Sequence, residues 1–520
     1  MVLAEKVKVR YDRPFTMKAK PRLRALFGGL LCAVGFWLTL ATPYQSKIFL
    51  TDNTSCRMAV EVVEPVSGEP LGSVVLLHGL SANKKIMEYM ARGFSEKGLR
   101  VFVPDLPGHG RTPGPFSFSS AERCSESFLN QLIAHGAVDP ARTILAGHSM
   151  GGAIALRLAA RIPVAGTIVL SPAPMRTDQG VPRELLPFEN PPPTPANTLI
   201  ISASWEPRPV RETARELLSR DVTSTGKYLL VPRSTHVSLL FDREALRASQ
   251  NWAARVLHLD SEERLPSKMP LLGFGLGFAG LILLTAPFVR EFVGKTTAVE
   301  TYKQVRAARA FPQVAVFSVA AVLLLRVIHP YHILRVFEGD YLAGFLLLVG
   351  AALLLIHHRE VFTALRAGFT SAQLGTLLLS SFCAVVILLL YSGWLDLTFS
   401  AAWLTSARWL RFPLFFLVVL PYHFAEEIIA APLASRSELR RVALALSLRF
   451  LAWGALAAGV FFLRSGEILL ILLVPYFAMF CVLQRLGMDV VRGQTGSATP
   501  AAIFGAILMA GFCLAIFPVA

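Results

Sequence analysis

The decapeptide Thr143-Ile144-Leu145-Ala146-Gly147-His148-Ser149-Met150-Gly151-Gly152 decides how this chain is read. A short apolar run, Ile144 and Leu145, leads into Gly147-His148-Ser149-Met150-Gly151, and Ala153, Ile154, Ala155 and Leu156 continue as a helix would. The pattern is G-x-S-x-G between a strand and a helix, the context of a nucleophile elbow. Such an elbow sets a serine on a sharp turn where neighbouring side chains would clash, so Gly147 and Gly151 flank it. The helix N-terminus behind the turn favours developing negative charge. The pentapeptide alone recurs by chance in Gly- and Ser-rich chains, and the inference rests on its setting.

Outward from the elbow, Lys47 to Arg264 reads as one polar α/β domain. Strands are expected at Met58–Val63, Ser73–Leu77, Leu99–Val103, Gly166–Leu170, Thr198–Ser202 and Tyr228–Val231, and helices at Ile86–Lys97, Ala121–His135 and Leu239–Leu257. Strands alternating with helices imply a mostly parallel sheet with helices on both faces.

The polar domain resembles an α/β-hydrolase of the monoacylglycerol-lipase and small-esterase type. The resemblance rests on VVLLHGLS, VFVPDLPGHGRT, TILAGHSMGG and a late STHV, which occur in the family's order between Val74 and about Leu257. It implies Ser149 as nucleophile and His236, after the last strand, as the base that a weakly acidic hydroxyl needs. The family has Gly-x-x-Asp after the strand Thr198–Ser202, where this chain offers Ala203-Ser204-Trp205-Glu206. Glu206 is therefore the acid that would orient His236, with Asp178 and then Asp221 as alternatives. The backbone N–H groups of Met150 and Leu80 are the expected oxyanion donors. His78 and His148 are read as structural, as are Asp105, His109 and Arg111. Ser171–Asn197 leaves room for a small cap only.

Hydrophobic residues make up 53% of the 520 positions and charged ones 17%, so membrane segments are expected. The net charge of +16 is spread beside apolar runs rather than gathered in a basic module, which argues against a nucleic-acid partner. Residues 1–24 are basic, and 25–44 form an uncharged stretch long enough to span a bilayer, read as an uncleaved anchor rather than a signal peptide. Basic residues before an anchor keep the N-terminus cytoplasmic, so the polar domain is expected outside, on a plasma membrane of bacterial type. Eight more spans are expected within 269–520: Met269–Val289, Phe311–Ile328, Tyr341–Ile356, Leu374–Trp394, Phe412–Leu433, Val442–Leu463, Ile468–Leu483 and Ala501–Val519. Cytoplasmic loops would then carry Arg290, Lys295, Lys303, Arg306 and Arg309, later Arg359 and Arg366, then Arg436, Arg440 and Arg441, then Arg485 and Arg492. Four cysteines lie in apolar runs, and Cys56 and Cys124 in the polar domain form a disulfide or remain free according to their distance.

Within the apolar half, Glu426 and Glu427 face Arg449 across one loop, and an interhelical ion pair is the expected arrangement. A metal or protease site built from His423 and these glutamates is the rival. The paired glutamates resemble the EExxxR motif of intramembrane prenyl-endopeptidase-like proteases, but Ala431 stands at the arginine position. Gly273 and Gly277 read as a helix-packing surface. The leading expectation is a membrane-tethered serine hydrolase acting on carboxylic esters of lipid type at the outer leaflet, with no cofactor or metal implied. Acyl transfer or amide cleavage by the same triad is a second reading. A transporter or assembly platform with an accessory hydrolase module is a third.

Overall fold

The structure is a computed structural model and describes residues 6–8, 21–41, 44–51, 55–173, 193–206, 208–220, 225–260, 264–295, 301–303, 307–328, 330, 333–433, 438–463 and 467–520. The chain divides into two compact units. One comprises Met1–Trp37, Gly273–Trp394 and Leu404–Phe517; the other comprises Leu38–Leu272, Leu395–Trp403 and Pro518–Ala520. Helix α1 (Pro21–Leu40) opens the chain and begins a turn earlier than the expected anchor.

The second unit is built on an eight-stranded sheet: β1 (Ser46–Leu50), β2 (Ala59–Val63), β3 (Gly72–Leu77), β4 (Leu99–Pro104), β5 (Thr143–His148), β6 (Gly166–Leu170), β7 (Thr198–Ala203) and β8 (Lys227–Val231), in the order β1-β2-β4-β3-β5-β6-β7-β8. Strands β1, β2 and β4 pair antiparallel, and every later pairing is parallel. Strands β3, β5, β6 and β7 are buried along their whole length. Their continuous apolar runs suit a parallel sheet covered on both faces, because no residue can turn to water. The covering helices are α2 (Glu88–Ser95), α3 (Phe118–Ala134), α4 (Met150–Ala159), α5 (Arg208–Ser219) and α6 (Arg243–Leu257). Leu76, Ile144, Ile168 and Ile201 pack with Phe94, Leu246 and Trp252 in one core. Each such side chain stabilises the fold by about 1.5–3 kcal/mol relative to exposure.

Three elements differ from expectation. Strand β1 is exposed throughout and exists only as the antiparallel partner of β2, so no apolar alternation marks it. Helix α5 is an addition after the acid-bearing turn. The expected helix Leu239–Leu257 is split: a short turn, Ser238–Phe241, precedes Asp242, whose carboxylate accepts from the N–H groups of Glu244 (2.7 Å) and Ala245 (3.1 Å). An aspartate in that position caps a new helix rather than continuing an old one. The expected small cap falls largely on residues 174–192, outside the described residues, as do Asp178 and Asp221.

Cys56 and Cys124 are joined, with Cα atoms 5.1 Å apart, and tie the loop after β1 to α3. The bridge spans 68 positions, a loop for which the chain-entropy account gives about 4 kcal/mol of stabilisation. The double variant Cys56→Ser/Cys124→Ser is expected to unfold at lower temperature than the oxidised protein, and to match the wild type under strong reductant. A wild-type melt indifferent to reductant would contradict the cross-link.

The first unit is helical: α1 is joined by α7 (Met269–Val293), α8 (Ala307–Val327), α9 (Gly339–Ile356), α10 (His358–Gly368), α11 (Ser371–Thr398), α12 (Ser406–Leu433), α13 (Glu438–Leu463), α14 (Ile468–Leu472), α15 (Val474–Thr495) and α16 (Ala498–Ile516). Among the described residues, 9 helices, α1 included, are long and apolar enough to cross a membrane by length and composition. The expected span Ile468–Leu483 is corrected. The chain breaks after the short α14, and α15, with Pro475 in its first turn, runs on to Thr495. Arg485 and Arg492, expected in a loop, are thus buried in a helix, where acidic partners offset the charge that interrupts its hydropathy. The Gly273 and Gly277 surface is a helix contact: a Cβ on Gly35 of α1 would stand 2.6 Å from both Gly273 O and Gly277 N. Only small residues let backbones approach so closely.

Candidate active site

Ser149 sits between β5 and α4 with φ 53° and ψ −116°, a conformation that side-chain-bearing residues avoid and that costs roughly 1–3 kcal/mol. The surroundings hold it there. Its N–H donates to Leu170 O (2.9 Å), and its carbonyl accepts from Ala153 N–H (3.1 Å) and Ala173 N–H (3.0 Å). Gly147 and Gly151 are obligatory for steric reasons. A Cβ at Gly147 would lie 2.3 Å from the main chain of Gly151, and one at Gly151 would lie 2.3 Å from Leu77 O. The Ser149 side chain does not turn back to cap α4, and the residue is only partly buried.

The loop after β8 carries His236, and the turn after β7 carries Glu206. His236 Nδ1 donates to Glu206 Oε1 at 2.7 Å. Glu206 Oε2 accepts from Ala203 N–H at 3.0 Å, which fixes the second oxygen of a carboxylate that is almost fully buried. The two turns are also tied through main chain: Ser204 N–H donates to Val231 O and Trp205 N–H to Ser234 O, both at 3.0 Å. The glutamate in place of the family aspartate therefore reaches the imidazole from a turn already stitched to its loop. His148 Nε2 donates to the carbonyl of His236 at 2.9 Å, and the two rings lie 4.7 Å apart. His148 thus braces the loop that carries the other imidazole.

On the opposite side, a Cβ on Gly79 would meet the Ser149 Cβ and the His148 Nδ1 at 3.0 Å each, so the main chain leading to Leu80 lies against the serine. Among the described residues no acceptor is recorded for the N–H groups of Leu80 and Met150. His78, His109 and Asp105 hold this loop. His78 Nε2 accepts from Leu106 N–H (2.9 Å) and its Nδ1 donates to Gly79 O (2.8 Å). His109 Nε2 accepts from Ser81 N–H at 3.2 Å. Asp105 accepts from the N–H groups of Lys84 (2.8 Å) and Arg111 (3.0 Å) and is ion-paired with Lys84 Nζ.

Burial pushes His78 below the ordinary histidine range and His148 well below it. A base whose folded pKa is depressed is protonated more readily in the unfolded chain. Its contribution is complete above the unfolded value of about 6.5 and is lost as pH falls through it. The unfolding free energy of this unit is expected to fall as pH is lowered from about 7.5 to about 5. His148→Gln should flatten that slope by up to about 1.4 kcal/mol per pH unit; an unchanged slope would exclude His148 as a contributor.

Residues 74–268 match the alpha/beta hydrolase family. These residues form an α/β-hydrolase domain. The chain is 38% identical over 112 residues to a protein described as a putative non-heme haloperoxidase of Mycobacterium phage D29, covering 21% of this chain and 37% of that one. It is 34% identical over 104 residues to a lipase of Mycobacterium tuberculosis (19% and 37%). It is 30% identical over 171 residues to an sn-1-specific diacylglycerol lipase of Xenopus laevis (31% and 47%). The chain spans less than half the length of these curated relatives. A lidless α/β serine hydrolase of Xanthomonas campestris aligns with a TM-score of 0.34 at 20% identity, covering 43% of this chain and 97% of that one.

In the helical unit, Arg449 Nη2 lies 2.5 Å from Glu426 Oε2. Arg449 Nη1 also donates to Gln484 Oε1 (2.7 Å) and Cys481 O (2.9 Å). Glu427 is a correction. Its partner is Arg485 on α15, with Arg492 Nε 4.0 Å from its other oxygen, because neighbouring residues on α12 project at different angles. His423 Nδ1 lies 3.6 Å from Glu426 Oε2. Hydropathy alone places Arg485 in a loop; its spacing from Asp489, i to i+4 on one helix, is the signal in the sequence that points to a helical site.

Proposed function

We propose that this chain is a membrane-tethered serine hydrolase that cleaves carboxylic esters of lipid type through Ser149, His236 and Glu206. The reading is carried by the buried 2.7 Å contact between His236 Nδ1 and Glu206 Oε1, and supported by a Ser149 held at positive φ in the elbow. With Nδ1–H committed to Glu206, Nε2 is the basic nitrogen of the neutral ring. Ser149 Oγ attacks the ester carbonyl carbon as its proton passes to His236 Nε2, and the carbonyl oxygen becomes an oxyanion. The N–H groups of Met150 and Leu80 would stabilise that oxyanion, and Glu206 the imidazolium. The C–O bond to the alcohol then breaks as His236 Nε2–H protonates the leaving oxygen. Water, deprotonated by the same nitrogen, then attacks the acyl carbon; the acyl C–Oγ bond breaks as His236 Nε2–H returns the proton to Ser149 Oγ, and the acid is released.

A lipid substrate is supported by the lipases among the relatives and by the long apolar helices carried on the same chain. The disulfide supports an oxidising, extracytoplasmic side for the hydrolase domain. The test is phosphonate labelling of the purified full chain, with rates on vesicle-borne monoacylglycerol and lysophospholipid against soluble short-chain esters. Labelling at Ser149 with a preference for the vesicle-borne esters is expected. Labelling with a preference for soluble esters would remove the lipid assignment, and no labelling would remove the hydrolase reading.

A further inference from the structure

The loop that presents Leu80 ends at Asn83, which is buried. Asn83 Oδ1 accepts from Lys85 N–H at 3.1 Å, capping the turn Lys84–Met87, and from Ala401 N–H at 3.0 Å. Its Nδ2 donates to Ser400 Oγ at 2.9 Å. Ser400 and Ala401 belong to Leu395–Trp403, which packs inside the hydrolase unit although Ser400 follows Asn83 by 317 positions. The same segment makes two further contacts around the site. Asp396 Oδ2 lies 2.7 Å from Arg111 Nη2, and the Phe399 ring stacks on Phe241, centroids 5.6 Å apart. Arg111 belongs to the loop whose His109 receives the Ser81 N–H, and Phe241 lies in the turn that follows His236. A second late segment pins that loop as well: Val519 accepts from Phe116 N–H (2.6 Å) and donates to Gly108 O (3.2 Å).

The geometry of the Leu80 donor needs such supports. Ser81, next to it, holds φ at 56°, a strained conformation for a residue with a side chain, which persists only where the surroundings over-determine it. An oxyanion donor acts only when aimed at the place where charge develops, and a displacement of about 1 Å can cost about 10²-fold in rate. Upstream the loop is held by β3, and laterally by His109. Downstream its post is Asn83, and two of the three hydrogen bonds of that amide go to Leu395–Trp403.

We propose that Asn83 is a positioning residue for the Leu80 donor and that Leu395–Trp403 acts through it. The oxyanion hole of the hydrolase domain then depends on the last turn of α11 and the connection that follows it. This inference rests on the proposed triad and adds to it a residue that touches neither substrate nor the reacting atoms.

The experiment uses the full chain in detergent micelles, with active sites counted by phosphonate titration so that unfolded protein is not scored as lost turnover. Asn83→Ala is expected to lower kcat by about 10- to 100-fold with KM changed less than about twofold. Asn83→Asp keeps the oxygen that serves Lys85 and Ala401, and should recover most of that loss. Ser400→Ala, distant in sequence from the loop, should lower kcat in the same direction but less, and should add nothing in the Asn83→Ala background. A wild-type kcat per active site in Asn83→Ala, or a loss confined to KM, overturns the proposal. So does a Ser400→Ala effect that multiplies with that of Asn83→Ala. If Asn83→Ala yields no folded protein, the kcat of Ser400→Ala decides: a fall supports the role and an unchanged value overturns it. Absence of labelling in the wild type would remove the triad reading and this inference with it. Labelling at Ser149 with unaltered rates in the variants removes this inference alone.

Discussion

Ser149→Ala and His236→Ala are each expected to lower kcat on a carboxylic ester by about 10⁴- to 10⁶-fold, and the double variant by no more than either alone. The lack of additivity follows from the chemistry. Without the hydroxyl there is nothing for the imidazole to deprotonate, and without the imidazole the hydroxyl is a feeble nucleophile. Glu206→Gln should cost about 10⁴-fold. The glutamine would offer its amide to an Nδ1 that must carry a proton, or turn its oxygen there and confront Ala203 N–H with a donor, since both carboxylate oxygens are engaged. Glu206→Asp should retain more activity than Glu206→Gln, because it keeps the charge while its shorter side chain loosens the contact. Steady-state kinetics on active-site-titrated enzyme decides. If Glu206→Gln were indistinguishable from wild type, another acid would be serving His236, and Asp178 would be the first to replace.

The parts of the site that were legible are those in which chemistry leaves little choice of residue. Gly147 and Gly151 cannot carry side chains where the elbow folds on itself, and Ser149 must follow a buried strand. Glu206 was recoverable because the turn after β7 is short and offers one carboxylate at the right place. The missed parts are defined by partners distant in sequence. Strand β1 has no alternation of its own and is recognisable only beside β2. Asn83 looks like a loop amide until Ser400 and Ala401 reach it, and Asp396 looks like a span-end charge until Arg111 does. Arg485 breaks an apolar run and so reads as a loop residue, yet Glu427 and Asp489 let it stay inside a helix. Hydropathy counts the charge and cannot see what neutralises it.

Arg449→Met is expected to destabilise the helical unit by about 3–5 kcal/mol, the usual consequence of leaving one member of a buried ion pair uncompensated. Arg449 and Glu426 are both buried, and Gln484 and Cys481 O complete the guanidinium's contacts. Removing the guanidinium strands a carboxylate whose nearest other cation, Arg485, stands 3.5 Å from its second oxygen and already serves Glu427. Removing both charges relieves that penalty, so Arg449→Met/Glu426→Gln should be more stable than Arg449→Met alone. The corrected pairing sharpens the test. A double-mutant cycle between positions 449 and 426 should show strong coupling, and one between 449 and 427 only weak coupling, because Glu427 answers to Arg485. Thermal unfolding in detergent gives both cycles. Equal coupling of the two glutamates to Arg449 would return the cluster to a single shared site, the arrangement a metal or protease centre at His423 would need. Strong coupling to Glu426 alone leaves these residues as interhelical bracing.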